Sequence, residues 1–375
     1  MMSSRLRVLQ MAPFLWSGAG RVITALCVSQ AATNEVMVVT SGSSRGLRDW
    51  KPYRRRLAEA GIDHARIDLF DRQPEVFWRG VAILQRLIDT WQPDVVHAHA
   101  GVPTCAATLC RGRGGRRLPI VSQVHSWAPG RPPWMNDMDF AGHRLADRVL
   151  CTATAYESHL LAAGVARRRL IRIEWGLPPL DVAAVATPLA SGRRVGCVGR
   201  IEPRKAQLDV VRAFAHVRRA LPAATLELVG PTADPAYGQA VGREVSRLGL
   251  TDAVTLTGYV RNALARVRRW DLFVSLSRDE GQGIAVLEAM ALGVPVAARI
   301  VPGIEDYLRP GINGFGLDGS AVSAGRQIVR ALSDGKRSVI ARRAKALVAR
   351  RYAWARTVAR IEAVYRSVLD APHHP

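Results

Sequence analysis

The stretch "SRDEGQGIAVLEAM" (277–290) sets two carboxylates, Glu280 and Glu288, on either side of Gly281 and Gly283. Residues 271–277 read as a strand, and a helix should begin near Gly283 and Ile284, which leaves Glu280 in the connecting loop. Glu288 then lies a turn further in, roughly 6 Å along the axis at about 1.5 Å per residue. A loop carboxylate can hold sugar hydroxyls, and one a turn deeper can accept hydrogen bonds from a ribose diol. The glycines leave backbone N–H groups bare at a helix N-terminus, a place that favours an anion. The competing reading makes Glu280 a helix cap and Glu288 a solvated residue that offsets the helix dipole.

A second stretch, "CVGRIEPRKAQLDVVRAF" (197–214), supplies charge of the opposite sign. Arg200 and Lys205 flank a strand-to-helix loop that contains Pro203. An arginine can grip a diphosphate through two parallel hydrogen bonds, and a lysine acts on it as a point charge. Alone, the pair reads equally as two surface cations. A third stretch, "PFLWSGAGR" (13–21), follows the first predicted strand and opens a helix. Gly18 and Gly20 in that loop would let backbone approach a ligand. The full GxGxxG spacing is missing, so turn glycines are the alternative. His97 and His99 end the strand "PDVVHAH" (93–99), where they either line a site or pack in the core.

The elements that must position these residues alternate along the chain. Short apolar strands at 5–12, 36–40, 93–99, 118–125 and 147–152 are separated by helix-like segments such as 20–31 and 75–91. Prolines and small residues at 176–194 interrupt the pattern, which then resumes with strands at 194–200, 224–230, 253–258, 271–277 and 294–299. Helices are predicted at 206–220, 236–248 and 284–292, and a last one lies within 353–369. Continuous apolar strands between helices imply parallel sheets covered on both faces. The fold class is therefore α/β, with two Rossmann-like doubly wound parallel-sheet domains facing a central cleft, and ligands expected beyond the carboxyl ends of the strands. The expected division is an N-terminal domain over 1–177, a linker over 178–193, a C-terminal domain over 194–352, and a final helix over 353–375.

Composition narrows the partners. The chain has 375 residues, 48% of them hydrophobic and 22% charged, as in a globular protein. Its net charge is +22, from 53 Lys+Arg against 31 Asp+Glu, with basic clusters at 51–56, 111–117, 166–172 and 341–351. Such a surface attracts anionic lipid or phosphorylated substrates. Its simpler explanation is an arginine-rich composition without a partner. No zinc-finger, RNA-recognition or helix-turn-helix pattern supports nucleic acid. The five cysteines are scattered without a CxxC pair, which argues against a zinc site and fits a reducing cytosol. No stretch reaches the roughly 20 apolar residues that span a bilayer. Gln10 and Pro13 interrupt the first apolar run, so it reads as a strand and not as a signal peptide. The expected location is the cytoplasm, including the inner face of the membrane as a peripheral protein. "HSWAPGRPPWMNDMDF" (125–140), with Trp127 and Trp134, reads as an irregular loop suited to acceptor contact, membrane docking or simple packing.

Three motifs carry a resemblance to the retaining glycosyltransferases of family 4, which have the GT-B fold. They are "GRIEPRK" (199–205), the Glu280–Glu288 spacing within "EGQGIAVLEAMALGVPVAA" (280–298), and "PGINGFGL" (310–317). The resemblance implies that Arg200 and Lys205 bind a donor diphosphate, Glu288 the ribose and Glu280 the donor sugar. It implies contacts to sugar and phosphate from the backbone of Gly281, Gln282, Gly283 and Ile284, and an approach to the donor by Gly18 and Gly20. His125, which ends "IVSQVH", matches the family's histidine near the transferred sugar. The catalytic set would be His125, Glu280, Arg200 and Lys205. This sequence departs from the family pattern at Gln282, where an aromatic is common, and at Trp175, where asparagine is common. It departs again at "PGIED" (302–306), where either Glu305 or Asp306 takes the acidic role.

The activity so implied is metal-independent transfer of a hexose-type sugar from a nucleotide-diphosphate sugar, UDP- or GDP-linked, to a glycan, lipid-linked or small-molecule acceptor. Polysaccharide or glycolipid assembly is the setting. No cofactor is expected, and no DxD motif suits a divalent cation. Two alternatives stay open: a sugar-nucleotide epimerase on the same fold, and a non-catalytic basic protein that binds the membrane surface.

Overall fold

A computed structural model describes residues 5–41, 51–69, 74–110, 117–125, 133–180 and 193–371. The chain divides into two compact units, one made of Met1–Pro178 with Trp354–Pro375 and the other of Pro179–Ala353.

In the first unit the strands are β1 (Arg7–Ala12), β2 (Glu35–Thr40), β3 (Asp63–Arg66), β4 (Val95–His99), β5 (Ile120–Gln123), β6 (Arg148–Cys151) and β7 (Leu170–Arg172). They pair in parallel in the order β3-β2-β1-β4-β5-β6-β7. The helices between them are α1 (Ser17–Gln30), α2 (Lys51–Glu59), α3 (Pro74–Trp91), α4 (Gly101–Leu109), α5 (Pro133–Leu145) and α6 (Thr154–Ala162). Every residue of β4 and β5 is buried, as parallel strands covered on both faces must be.

The second unit repeats the plan. Strands β8 (Arg194–Val198), β9 (Thr225–Val229), β10 (Val254–Gly258), β11 (Leu272–Ser275), β12 (Val296–Arg299) and β13 (Phe315–Leu317) form one parallel sheet in the order β10-β9-β8-β11-β12-β13. Its helices are α7 (Gln207–Ala220), α8 (Pro235–Arg247), α9 (Ala263–Val267), α10 (Ile284–Ala291), α11 (Ala321–Ser333) and α12 (Arg337–Arg351). The last helix, α13 (Trp354–Leu369), belongs to the first unit. It buries Ile361, Val364, Tyr365 and Val368 along one face, each worth about 1.5–3 kcal/mol of transfer free energy. Thr357 completes the docking: its hydroxyl donates to the Glu174 carbonyl at 3.0 Å and accepts the Gly176 N–H at 2.7 Å.

Strand order reverses between β1 and β4 in one sheet and between β8 and β11 in the other. At such a switch point neighbouring loops leave in opposite directions and open a crevice at the carboxyl edge of the sheet. The loops after β8 and β11 are therefore neighbours, and they carry "GRIEPRK" and "SRDEGQG".

Several elements escape the sequence pattern. α2 falls in a run that reads only as a charge cluster. β3 is a polar edge strand, and β7 and β13 have three residues each, too few to show a period. Gly18 and Gly20 lie in the first turn of α1 and not in a loop ahead of it, because the helix starts directly after the extended Trp16. Gly20 is needed for packing: a methyl there would meet the Leu15 carbonyl carbon at 2.6 Å. The predicted linker is outside the described residues at 181–192, as are Trp127 and most of the 111–117 cluster. Trp134 falls in the first turn of α5.

Ala100, between β4 and α4, holds φ 116° and ψ 168°, a region that side chains avoid. Such a conformation costs about 1–3 kcal/mol, against about 0.5–1 kcal/mol of extra chain entropy for glycine. Ala100→Gly should therefore raise the thermal midpoint by a few degrees in a circular dichroism melt; a lower midpoint would contradict the strain.

Candidate functional site

The β8–α7 and β11–α10 loops build the cluster from both sides. After β8 a single 3-10 turn (Pro203–Lys205) ends at Ala206, which takes a left-handed conformation with φ 53° and starts α7. After β11 the chain turns through Ser277, Asp279 and Glu280 to Gly283, the left-handed N-cap of α10 at φ 71°. No side chain caps that helix. A backbone bond from Arg278 N–H to the Arg204 carbonyl (2.8 Å) joins the two loops. Gly303 supports them from below: a methyl there would meet the carbonyl oxygens of Glu280 at 2.6 Å and Gly281 at 2.8 Å.

Lys205 Nζ reaches Glu280 Oε1 at 2.6 Å, with both side chains largely shielded from solvent. Arg200 Nη2 bonds Glu202 Oε1 at 2.9 Å. Arg204 lies between Glu202, at 3.4 Å, and Asp279, at 3.5 Å. Burial acts to raise the pKa of Glu280, but Lys205, Arg204 and a hydrogen bond from Ser277 outweigh it and leave the carboxyl below its usual range. Burial pulls the Arg200 pKa down, with Glu202 as the chief opposing influence. Three cations and three carboxylates thus face one another before any ligand arrives. Sequence reading found Arg200, Lys205 and Glu280 but passed over Glu202, Arg204 and Asp279. All three stood inside or beside the quoted motifs; only their pairing was hidden.

Glu288 is 7% exposed, on a helix whose Val286, Leu287, Ala289 and Met290 are also buried. Glu280 is equally buried. This overturns the solvated-helix alternative for Glu288. Gln282 and Gly283 are buried with them, and Ile284 is half-buried. Tyr307 donates to the Gly283 carbonyl at 3.4 Å. Of the two acidic residues in "PGIED", Glu305 is exposed and Asp306 half-buried.

In the first unit His125 is half-buried, just past β5. Its Nε2 lies 2.9 Å from His99 Nδ1, and its ring stacks on Trp175 with centroids 5.5 Å apart and planes 8° apart. Trp175 in turn stacks on Trp354 at 6.3 Å. His97 and His99 are fully buried, bonded to Tyr365 at 2.7 Å and to Gln10 at 2.7 Å. Of the two readings for these strand-end histidines, His97 fits the core. His99 touches both the core and His125. Desolvation lowers the pKa of His97 to about 3 and of His125 to about 4, so both rings are neutral near pH 7. Among the described residues no group of three or more His, Cys, Asp or Glu is placed to hold a metal ion, and no helix is long and apolar enough to cross a membrane.

Two Rossmann-like units of this topology make a GT-B fold, and solved structures agree. Anabaena Alr3699/HepE in complex with UDP and glucose superposes with a TM-score of 0.81 at 19% identity, covering 97% of this chain and 100% of that one. Sucrose-phosphate synthase from Thermosynechococcus elongatus gives a TM-score of 0.79 at 20% identity, covering 98% and 100%. A family model described as Glycosyltransferase Family 4 matches residues 16–179, and one described as Glycosyl transferases group 1 matches residues 192–334. The chain belongs to the family 4 glycosyltransferases. Among curated relatives, the D-inositol 3-phosphate glycosyltransferase of Thermobispora bispora is 27% identical over 79% of this chain and 76% of its own length. That of Mycobacterium leprae is 29% identical over 74% and 69%.

The buried histidines make a pH prediction. Unfolded, each takes a proton near the ordinary histidine value of 6.5; folded, His125 waits until about 4 and His97 until about 3. The unfolded state therefore binds more protons below pH 6.5, and stability falls as pH drops through that range. Denaturation midpoints should decline from pH 7 to pH 5, and decline less in His97→Asn. A flat profile in the wild type would contradict the buried neutral rings.

Proposed function

We propose that this glycosyltransferase moves a hexose, with retention of anomeric configuration, from a nucleotide-diphosphate sugar of the UDP or GDP type. The supporting observation is that Arg200, Lys205 and Glu280 meet on two adjoining loops at one switch point, with Lys205 and Glu280 2.6 Å apart and Glu288 buried on the helix that follows. A cation bonded to a buried carboxylate is already oriented, so a diphosphate meets a placed lysine without first ordering it.

Arg200 and Lys205 hold the diphosphate and stabilise it as it leaves. Glu280 takes hydroxyls of the sugar and Glu288 the ribose diol. The backbone from Gly281 through Gln282 and Gly283 to Ile284 contacts the sugar and phosphate, and Gly18 and Gly20 belong to the donor contacts of the first unit. His125 is assigned to the transferred sugar. A divalent ion is not needed in this scheme. Retention follows from attack on the donor face from which the phosphate leaves, the phosphate taking the acceptor proton.

For the acceptor, a phosphate-bearing molecule is favoured by the net charge of +22 and by the name shared by several relatives, which act on D-inositol 3-phosphate by that name. Whether it is free or lipid-linked decides between a freely soluble enzyme and one on an anionic membrane, in glycolipid or polysaccharide assembly. Incubation with donor alone separates transfer from epimerisation.

Arg200→Ala and Lys205→Ala should each lower turnover by about 10²-fold, the usual size for loss of one preorganised charge, with circular dichroism unchanged. Near-normal turnover would remove the diphosphate assignment. In the same assay the wild type should keep its rate in excess EDTA and give a product with the donor's anomeric coupling by NMR. Glu288→Ala should weaken nucleotide binding about tenfold in calorimetry, or about 1.4 kcal/mol; unchanged affinity would count against the ribose role.

A further inference from the structure

A continuous hydrogen-bonded chain crosses the core of the first unit and ends at His125. Tyr365, on α13, offers its phenol oxygen to three groups: Gln10 Nε2 at 3.1 Å, Gln30 Nε2 at 3.2 Å and His97 Nδ1 at 2.7 Å. Both amides donate to that oxygen, so its single proton goes to His97. Gln10 Nε2 also donates to Gln30 Oε1 at 2.8 Å. That spends both protons of the Gln10 amide and turns its carbonyl toward His99 Nε2, at 2.7 Å. A carbonyl only accepts, so His99 carries its proton on Nε2 and presents a lone pair at Nδ1. His125 Nε2 lies 2.9 Å from that lone pair and must be the donor. Reversing the two amides together would aim two carbonyl oxygens at one phenol proton, so the direction is set at Tyr365. Stacking on Trp175 holds the ring plane.

We propose that the relay from Tyr365 through Gln10 and His99 locks His125 as the Nε2–H tautomer, so that His125 meets substrate only as an acceptor, through Nδ1. Among the described residues nothing bonds that nitrogen. A lone pair can receive a sugar O–H, but it repels the proton-free oxygens of a phosphate or carboxylate. His125 therefore selects a hydroxyl and takes no part in holding the diphosphate. Its neutrality, with the pKa held down to about 4 by burial, agrees with that. Gln10, His99 and Tyr365 are positioning residues, since they act through His125. Only the presence of substrate at His125 rests on the proposed function; the tautomer does not.

The test is a long-range 1H–15N spectrum of the full chain, labelled at histidine, at pH 7, with the His125 signals identified by their loss in His125→Asn. The expected pattern has Nε2 protonated and Nδ1 bare. A proton on Nδ1 of His125 would overturn the proposal. Gln10→Leu removes the acceptor that fixes His99, so the Nδ1–H form of His125 should appear. Tyr365→Phe should move the populations the same way by less. Unchanged populations in both variants would overturn the relay, and if neither folds the wild-type pattern still decides. Normal turnover of His125→Leu alongside the expected spectrum would defeat the assignment of His125 to the sugar while leaving the tautomer standing.

Discussion

The contact between the β8 and β11 loops organises the second unit. Lys205 and Glu280 are 75 residues apart in sequence and 2.6 Å apart in space. A parallel sheet brings them together, because every strand ends on the same edge and the switch point puts these two ends side by side. A partly buried ion pair of this kind is seldom a large net source of stability, since desolvation of both groups offsets much of the attraction. Its consequence is order. Glu280 is held ionised, Lys205 is held against it, and Gly303 lies against the same loop because no larger residue fits beneath its carbonyls.

The first unit solves a different problem. Its core contains Gln10, Gln30, His97, His99 and Tyr365, polar groups whose burial is costly unless each finds a partner. They partner one another across β1, α1, β4 and α13, with few bonds left over. The second unit concentrates charge at one edge and keeps its interior apolar around Phe214, Leu228 and Leu272. The two units thus share a topology and differ in where they place polarity.

How much of this could be read from the residues depended on range. The loop position of Glu280 and the helix start at Ile284 were legible, because glycine spacing and an apolar run are signals within one window. The alternation of strands and helices was legible for the same reason. The pairing of Arg204 with Asp279, and of Gln10 with Tyr365 at a separation of 355 residues, was not, because nothing local marks a partner. The placement of Gly18 and Gly20 was only half legible: glycines after a strand suggest a loop, yet here the helix begins earlier and holds both in its first turn. The strain at Ala100 left no mark either, since no glycine or asparagine stands there to signal a positive φ.

The chain leaves the first unit at Pro178 and returns to it at Trp354. A ribosome therefore delivers the whole second unit before the residue that completes the first. Until α13 emerges, Gln10, Gln30 and His97 have a sheet around them but no phenol to meet. The second unit has its whole chain available to pack during synthesis, as domains commonly do, while the first still lacks the phenol that bonds Gln10, Gln30 and His97. The unit begun earlier thus receives one of its largest core side chains only after the second unit is fully translated.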